Sequence, residues 1–133
     1  MAETAGAGAS ARDIVLAFYE AALNEKDAEK AAQFLGDTYL QHNPMITDGP
    51  EAFLRFVRFR GERFPDSHSD IKRVIAEGDL VALHIHSVLV PGTLGRAIVD
   101  IFRVEGGKVV EHWDVIQSIS EQLFPPLNEN GLF

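Results

Sequence analysis

The stretch from residue 98 to residue 117, Ile-Val-Asp-Ile-Phe-Arg-Val-Glu-Gly-Gly-Lys-Val-Val-Glu-His-Trp-Asp-Val-Ile-Gln, constrains the fold more than any other part of the chain. Two runs rich in β-branched and aromatic residues flank Gly106-Gly107, the pattern of a β-hairpin closed by a tight turn. Side chains of a strand alternate between its two faces. Ile98, Asp100 and Phe102 therefore share one face of the first strand, and His112, Asp114 and Ile116 share one face of the second. Antiparallel pairing can bring these sets side by side. Two carboxylates and an imidazole would then stand among apolar residues in the middle of a sheet, where ionisable groups are costly unless partnered. A pocket that carries chemistry and an internal polar network both account for them.

The elements upstream complete an α+β layout. Ser10 and Asp13 form a capping signal for a helix running to about Asn24, with Ile14 and Phe18 on one face. Asp27 caps a second short helix that Gly36 closes, and residues 38–43 read as an extended segment stopped by Pro44. Gly49-Pro50-Glu51 starts a third helix whose apolar face carries Phe53, Phe56, Val57 and Phe64, with Arg55, Arg58 and Arg63 on its solvated side. From Ser69 the pattern changes to period two: strands over 69–77, 80–90, 96–104 and 108–118. Three helices followed by a meander of long antiparallel strands predict a curved sheet wrapped on the helices, a cone with a cavity inside. Residues 1–9, Gly/Ala-rich and without an apolar centre, are expected to be a disordered tail, and residues 10–133 a single domain.

Composition removes several classes of function. The chain has no cysteine, hence no disulfide framework, thiolate nucleophile or cysteine-based metal site. No run approaches the roughly 20 apolar residues that a membrane span needs. Its net charge of −8 argues against nucleic acid and anionic membranes as partners. A cytoplasmic location is expected. Gly-x-Ser-x-Gly and the glycine-rich phosphate motifs are absent, which sets aside serine hydrolysis and nucleotide chemistry.

The candidate site gathers ionisable groups from three consecutive strands. His84 and His86 share one face of the strand over 80–90, opposite Val81, Leu83 and Ile85. If that face coincides with the one carrying Asp100, His112 and Asp114, all five line one cavity, with His42 at its rim and the Tyr19 hydroxyl supplied by the first helix. A carboxylate in an apolar pocket gains affinity for protons and can act as a base near neutral pH. A neighbouring imidazole can carry the proton onward or bind a developing oxyanion. His84-x-His86 and His112-x-Asp114 also have the spacing of metal ligands on strands. That spacing arises easily, and no metal is expected. Packing or surface exposure is the ordinary fate of a residue such as His84, and core packing or an interface anchor that of Trp113, which faces away from Asp114.

With these residues in place, the chain resembles the SnoaL-like polyketide cyclase family of the nuclear transport factor 2-like superfamily. The resemblance rests on Glu77-Gly78-Asp79-Leu80-Val81, Asp100-Ile101-Phe102-Arg103, Gly107-Lys108-Val109, Glu111-His112-Trp113-Asp114 and Gln41-His42-Asn43-Pro44. It implies a cone-shaped, cystatin-like α+β domain with a cofactor-free, metal-free pocket on the concave face of the sheet. It also implies that Asp100 is the acid/base of an intramolecular aldol closure, and that Asp114 takes the place of a second carboxylate used in related epoxide hydrolases. Those hydrolases carry an Arg two residues before the first Asp, where this chain has Ile98, which counts against epoxide opening. Catalytic roles therefore fall to Asp100, Asp114, His112, His86 and His42. Substrate contacts fall to Tyr19, His84, Ile98, Phe102 and Ile116.

Two functions follow as expectations. One is an acid–base enzyme that cyclises or isomerises a small carbonyl compound. The other is a non-catalytic domain of the same fold that binds a small ligand. A homodimer is expected in either case, joined through the outer sheet face where Trp113, Val115 and Arg103 lie.

Overall fold

The computed structural model describes residues 9–120 and 125–133. The expected N-terminal tail therefore lies outside the described residues except for Ala9, which packs against the core. Helix α1 (Ala11–Tyr19) starts where the Ser10 hydroxyl accepts the Asp13 N–H at 3.1 Å. It buries Ile14, Val15, Phe18 and Tyr19. The helix expected to continue to Asn24 changes instead into a π-helical turn over Glu20–Asn24. The Asn24 amide there donates to the Ser69 carbonyl and accepts the Ser69 N–H, tying the turn to a strand 45 residues away.

Helix α2 (Ala28–Ala32) is capped by Asp27, whose carboxylate accepts the Lys30 N–H at 3.0 Å. Gly36 does not close this helix. It lies within strand β1 (Leu35–Gln41), where a Cβ would come within 2.8 Å of a Val110 methyl, so close backbone approach explains the glycine. Helix α3 (Pro50–Arg63) has Pro at its first turn and buries Phe53, Leu54, Val57 and Arg60.

Strands β2 (His68–Glu77), β3 (Leu80–Val88), β4 (Arg96–Glu105) and β5 (Lys108–Ser118) form the antiparallel meander. The sheet order is β1-β5-β4-β3-β2, with β1 parallel to β5 at one edge. Gly106 and Gly107 both take positive φ, 59° and 79°, as a two-residue hairpin turn requires. This is the curved sheet and helix layer of a cystatin-like cone.

One face of the sheet buries Val81, Leu83, Ile85, Ile98, Phe102 and Val109 against the helices. The ring of Phe18 stands at the centre, 5.2 Å from Phe53, 5.7 Å from Phe102 and 6.4 Å from Tyr39 between centroids. It joins α1, α3, β1 and β4 in one contact set. No helix among the described residues is long and apolar enough to cross a membrane. Because Phe18 is fully buried, Phe18→Ala is expected to cost about 3–5 kcal/mol of unfolding free energy, read from urea denaturation. A loss below about 1 kcal/mol would mean that the four elements do not depend on this ring.

Candidate active site

The register of β4 and β5 sets the site. Asp100 pairs with Asp114, Phe102 with His112 and Ile98 with Ile116, so all six side chains share the concave face. They line a cavity of about 290 Å³ whose apolar wall is completed by Phe53 and Phe56 of α3. His112 Nε2 lies 2.7 Å from Asp100 Oδ1 and 3.9 Å from Asp114 Oδ2.

The last residue of β1 and the segment after it hold this cluster from the other side. Gln41 Oε1 sits 2.6 Å from His112 Nδ1 and also accepts the Asn43 N–H at 3.1 Å. A backbone N–H can only donate, so the atom it meets is the amide oxygen, and His112 Nδ1 must donate to that oxygen. His112 Nε2 is thereby turned to Asp100 with one proton shared between them. Asn43 Nδ2 donates to Asp114 Oδ2 at 2.8 Å.

Burial pushes the Asp100 carboxyl above the usual carboxylate range. The hydrogen bond and charge of His112 pull the other way, and the nearby Asp114 adds to the rise. A proton thus has two close seats, the Asp100 oxygen and the His112 nitrogen. Asp100, His112 and Asp114 each offer one ligand atom within 4.8 Å of the others, a spacing that a divalent cation could bridge. Both His112 nitrogens are already engaged with oxygen acceptors, an arrangement that favours proton sharing over ligation.

Four of the residues expected at the site stand elsewhere. His84 and His86 do not reach the cavity. Leu83, not His84, pairs with Asp100, so the two histidines occupy the outer face of β3. His84 Nδ1 meets Arg73 there and His86 Nε2 donates to the Leu94 carbonyl at 2.8 Å, while Phe133 packs on both rings. The metal pairing that joined these histidines to His112 and Asp114 is therefore not available. His42 also faces outward, as alternation between Gln41 and Asn43 requires; it bonds Glu111 at 2.8 Å and stacks on Trp113. Tyr19 lies in the core, edge-on to Phe102 at 6.4 Å, outside the cavity lining. Burial, with the charge of Asp100, raises its phenol well above the usual value.

Among the polar lining residues, sequence reasoning missed Gln41, Asn43, Arg60 and Arg96. The signals were present. Arg60 is seven residues after Phe53 on the apolar stripe of α3, and Arg96 shares the strand face of Ile98 and Asp100.

Comparison with known proteins agrees with this architecture. A family model described as SnoaL-like domain matches residues 15–112. A candidate ketosteroid isomerase from Kribbella flavida superposes with a TM-score of 0.72 at 22% identity, covering 92% of this chain and 90% of that one. A cystatin-fold protein from Novosphingobium aromaticivorans gives 0.71 at 20% identity, covering 81% and 99%. A candidate polyketide cyclase from Acidithiobacillus ferrooxidans gives 0.67 at 17% identity, covering 84% and 90%. No curated protein matches the chain.

The raised Asp100 value has a consequence for stability. A carboxyl whose value in the folded protein exceeds its ordinary 3.8 stabilises fully below about pH 4 and loses that contribution as pH rises through the raised value. The stability difference between wild type and Asp100→Asn, measured by urea denaturation from about pH 5 to about pH 8, is expected to move in favour of Asn as pH rises. Movement in the opposite direction would make the ionised carboxylate the preferred buried form.

Proposed function

This chain belongs to the SnoaL-like domain family, and from that premise we propose that it is an acid–base enzyme that cyclises or isomerises a small carbonyl compound. The observation that carries the proposal is the buried Asp100–His112 pair, 2.7 Å apart, beside Asp114 on an apolar wall. The candidate isomerase and candidate cyclase among the structural relatives support the same direction.

Asp100 takes a proton from the carbon next to the carbonyl, using the oxygen not committed to His112. The C–H electron pair moves into the new carbon–carbon double bond and the carbonyl pair moves onto oxygen. In an aldol-type closure the enolate carbon then bonds to a second carbonyl carbon, and His112 gives its Nε2 proton to the resulting alkoxide. In an isomerisation Asp100 returns its proton to a different carbon. Gln41 keeps the imidazole in the orientation this needs, and Asn43 holds Asp114 beside it. The apolar wall excludes water that would protonate the enolate early.

The proton-abstraction step can be tested with deuterium wash-in beside the carbonyl of small aryl ketones, followed by NMR in D₂O. Wild type is expected to accelerate exchange, and Asp100→Asn to lose roughly 10²–10⁴-fold of that rate with the fold intact. Ketones that bind without accelerated exchange would leave the non-catalytic binding domain as the function.

We assign the protein to the cytoplasm, acting as a homodimer joined through the outer sheet face. The register rows Trp113–Ile101–Ala82–Ile75 and Val115–Val99 lay an apolar band across that face. Val115 and Ile75 are 69% and 67% exposed, which favours a second copy covering them. Arg103, also on that face, is already paired with Glu105 and Glu111 at 2.8 Å. Light scattering at micromolar concentration is expected to give twice the chain mass for wild type and the chain mass for Val115→Asp. A wild-type monomer would remove the assignment.

A further inference from the structure

The cavity holds more positive charge than the proposed chemistry uses. Arg60 comes from α3 and Arg96 from the start of β4, and both line the cavity with Asp100, His112 and Asp114. Arg60 is only 7% exposed. Its guanidinium carbon lies 5.2 Å from the centre of the Phe56 ring. Among the described residues no carboxylate lies within salt-bridge distance of either arginine. Arg60 Nη1 and Arg96 Nε are buried without an acceptor, and so is Nε2 of Gln41, whose oxygen is taken by His112 and Asn43.

A buried guanidinium without a counter-ion is costly, and each unmade hydrogen bond adds to the cost. Two guanidinium groups thus enter the cavity, neither paired with a carboxylate among the described residues, although the chain as a whole carries −8.

We propose that Arg60 and Arg96 form the carboxylate-binding end of this cavity, so that its ligand is a small keto acid rather than a neutral ketone. The assignment rests on the reading of the cavity as a site for carbonyl compounds. A carboxylate has the two-oxygen geometry that a guanidinium matches with paired N–H donors. Anchored at that end, the ligand lays its body along Ile98 and Phe102, with the carbon next to its carbonyl reaching Asp100. Gln41 Nε2 supplies a further donor for a ligand oxygen.

The probe is 4-oxo-4-phenylbutanoate, which joins an aryl ketone to a carboxylate, compared with its methyl ester. Calorimetric titration is expected to give saturable binding of the acid and weakening by about tenfold or more for the ester. Arg60→Met and Arg96→Gln should each lose about tenfold or more for the acid and little for the ester. Arg60→Met should melt no lower than wild type, because it removes an unpaired buried charge, whereas a structural arginine would lower the melting temperature. If Arg60→Met does not fold, Arg60 is structural and the proposal is overturned. Equal binding of acid and ester, no saturable binding of the acid, or unchanged binding in both arginine variants would also overturn it. Acid binding without deuterium exchange removes the acid–base reading alone; exchange without acid–ester discrimination removes the carboxylate site alone.

Discussion

The shared proton between Asp100 and His112 is the contact on which the rest of the site depends. It forms only because β4 and β5 pair in the one register that places Asp100 across from Asp114 and Phe102 across from His112. A slip of β5 by one residue would turn His112 and Asp114 to the outer face and leave Asp100 without them. The Gly106-Gly107 turn fixes the Glu105–Lys108 and Val104–Val109 pairs, and a one-residue shift of register between Val104 and Arg103 then brings Glu111 opposite Arg103 and Asp114 opposite Asp100.

The hairpin was legible in the sequence because its turn is unambiguous and Ile98 to Phe102 and His112 to Ile116 alternate cleanly, but the one-residue shift beside Val104 that sets Asp100 opposite Asp114 left no signal. The histidines of β3 were harder to place. Their face was known relative to Val81, Leu83 and Ile85 but not relative to β4, since register across strands is a property of pairing rather than of either strand alone. Had the pocket been required to open on the same side as the apolar core, His84 and His86 would have been placed outside. His42 fails for a simpler reason: the extended segment alternates, so His42 cannot share a face with Gln41 and Asn43.

The arginines show a different limit. Arg55, Arg58 and Arg63 read as a solvated face, and the same chemistry made Arg60 easy to pass over. Its position on the stripe of Phe53, Phe56 and Val57 decided its burial. Residue type predicts water and helical phase predicts the core; here phase prevailed. When the two signals disagree, the residue becomes a candidate for function, because folding alone does not call for a buried guanidinium.

The site's parts come from separate segments of the chain. Asp100, His112 and Asp114 belong to one hairpin. The cationic end comes from α3 and the first residue of β4, and the polar supports come from the few residues around the end of β1. Met45 and Ile46, just beyond those supports, line the cavity, and Met45 is 88% exposed. Mutations in that loop and on the Phe53–Phe56 face of α3 can reshape what the cavity admits without moving Asp100 or His112. The shape of the cavity mouth is thus set by segments separate from the hairpin that carries Asp100 and His112, so the two can be altered independently.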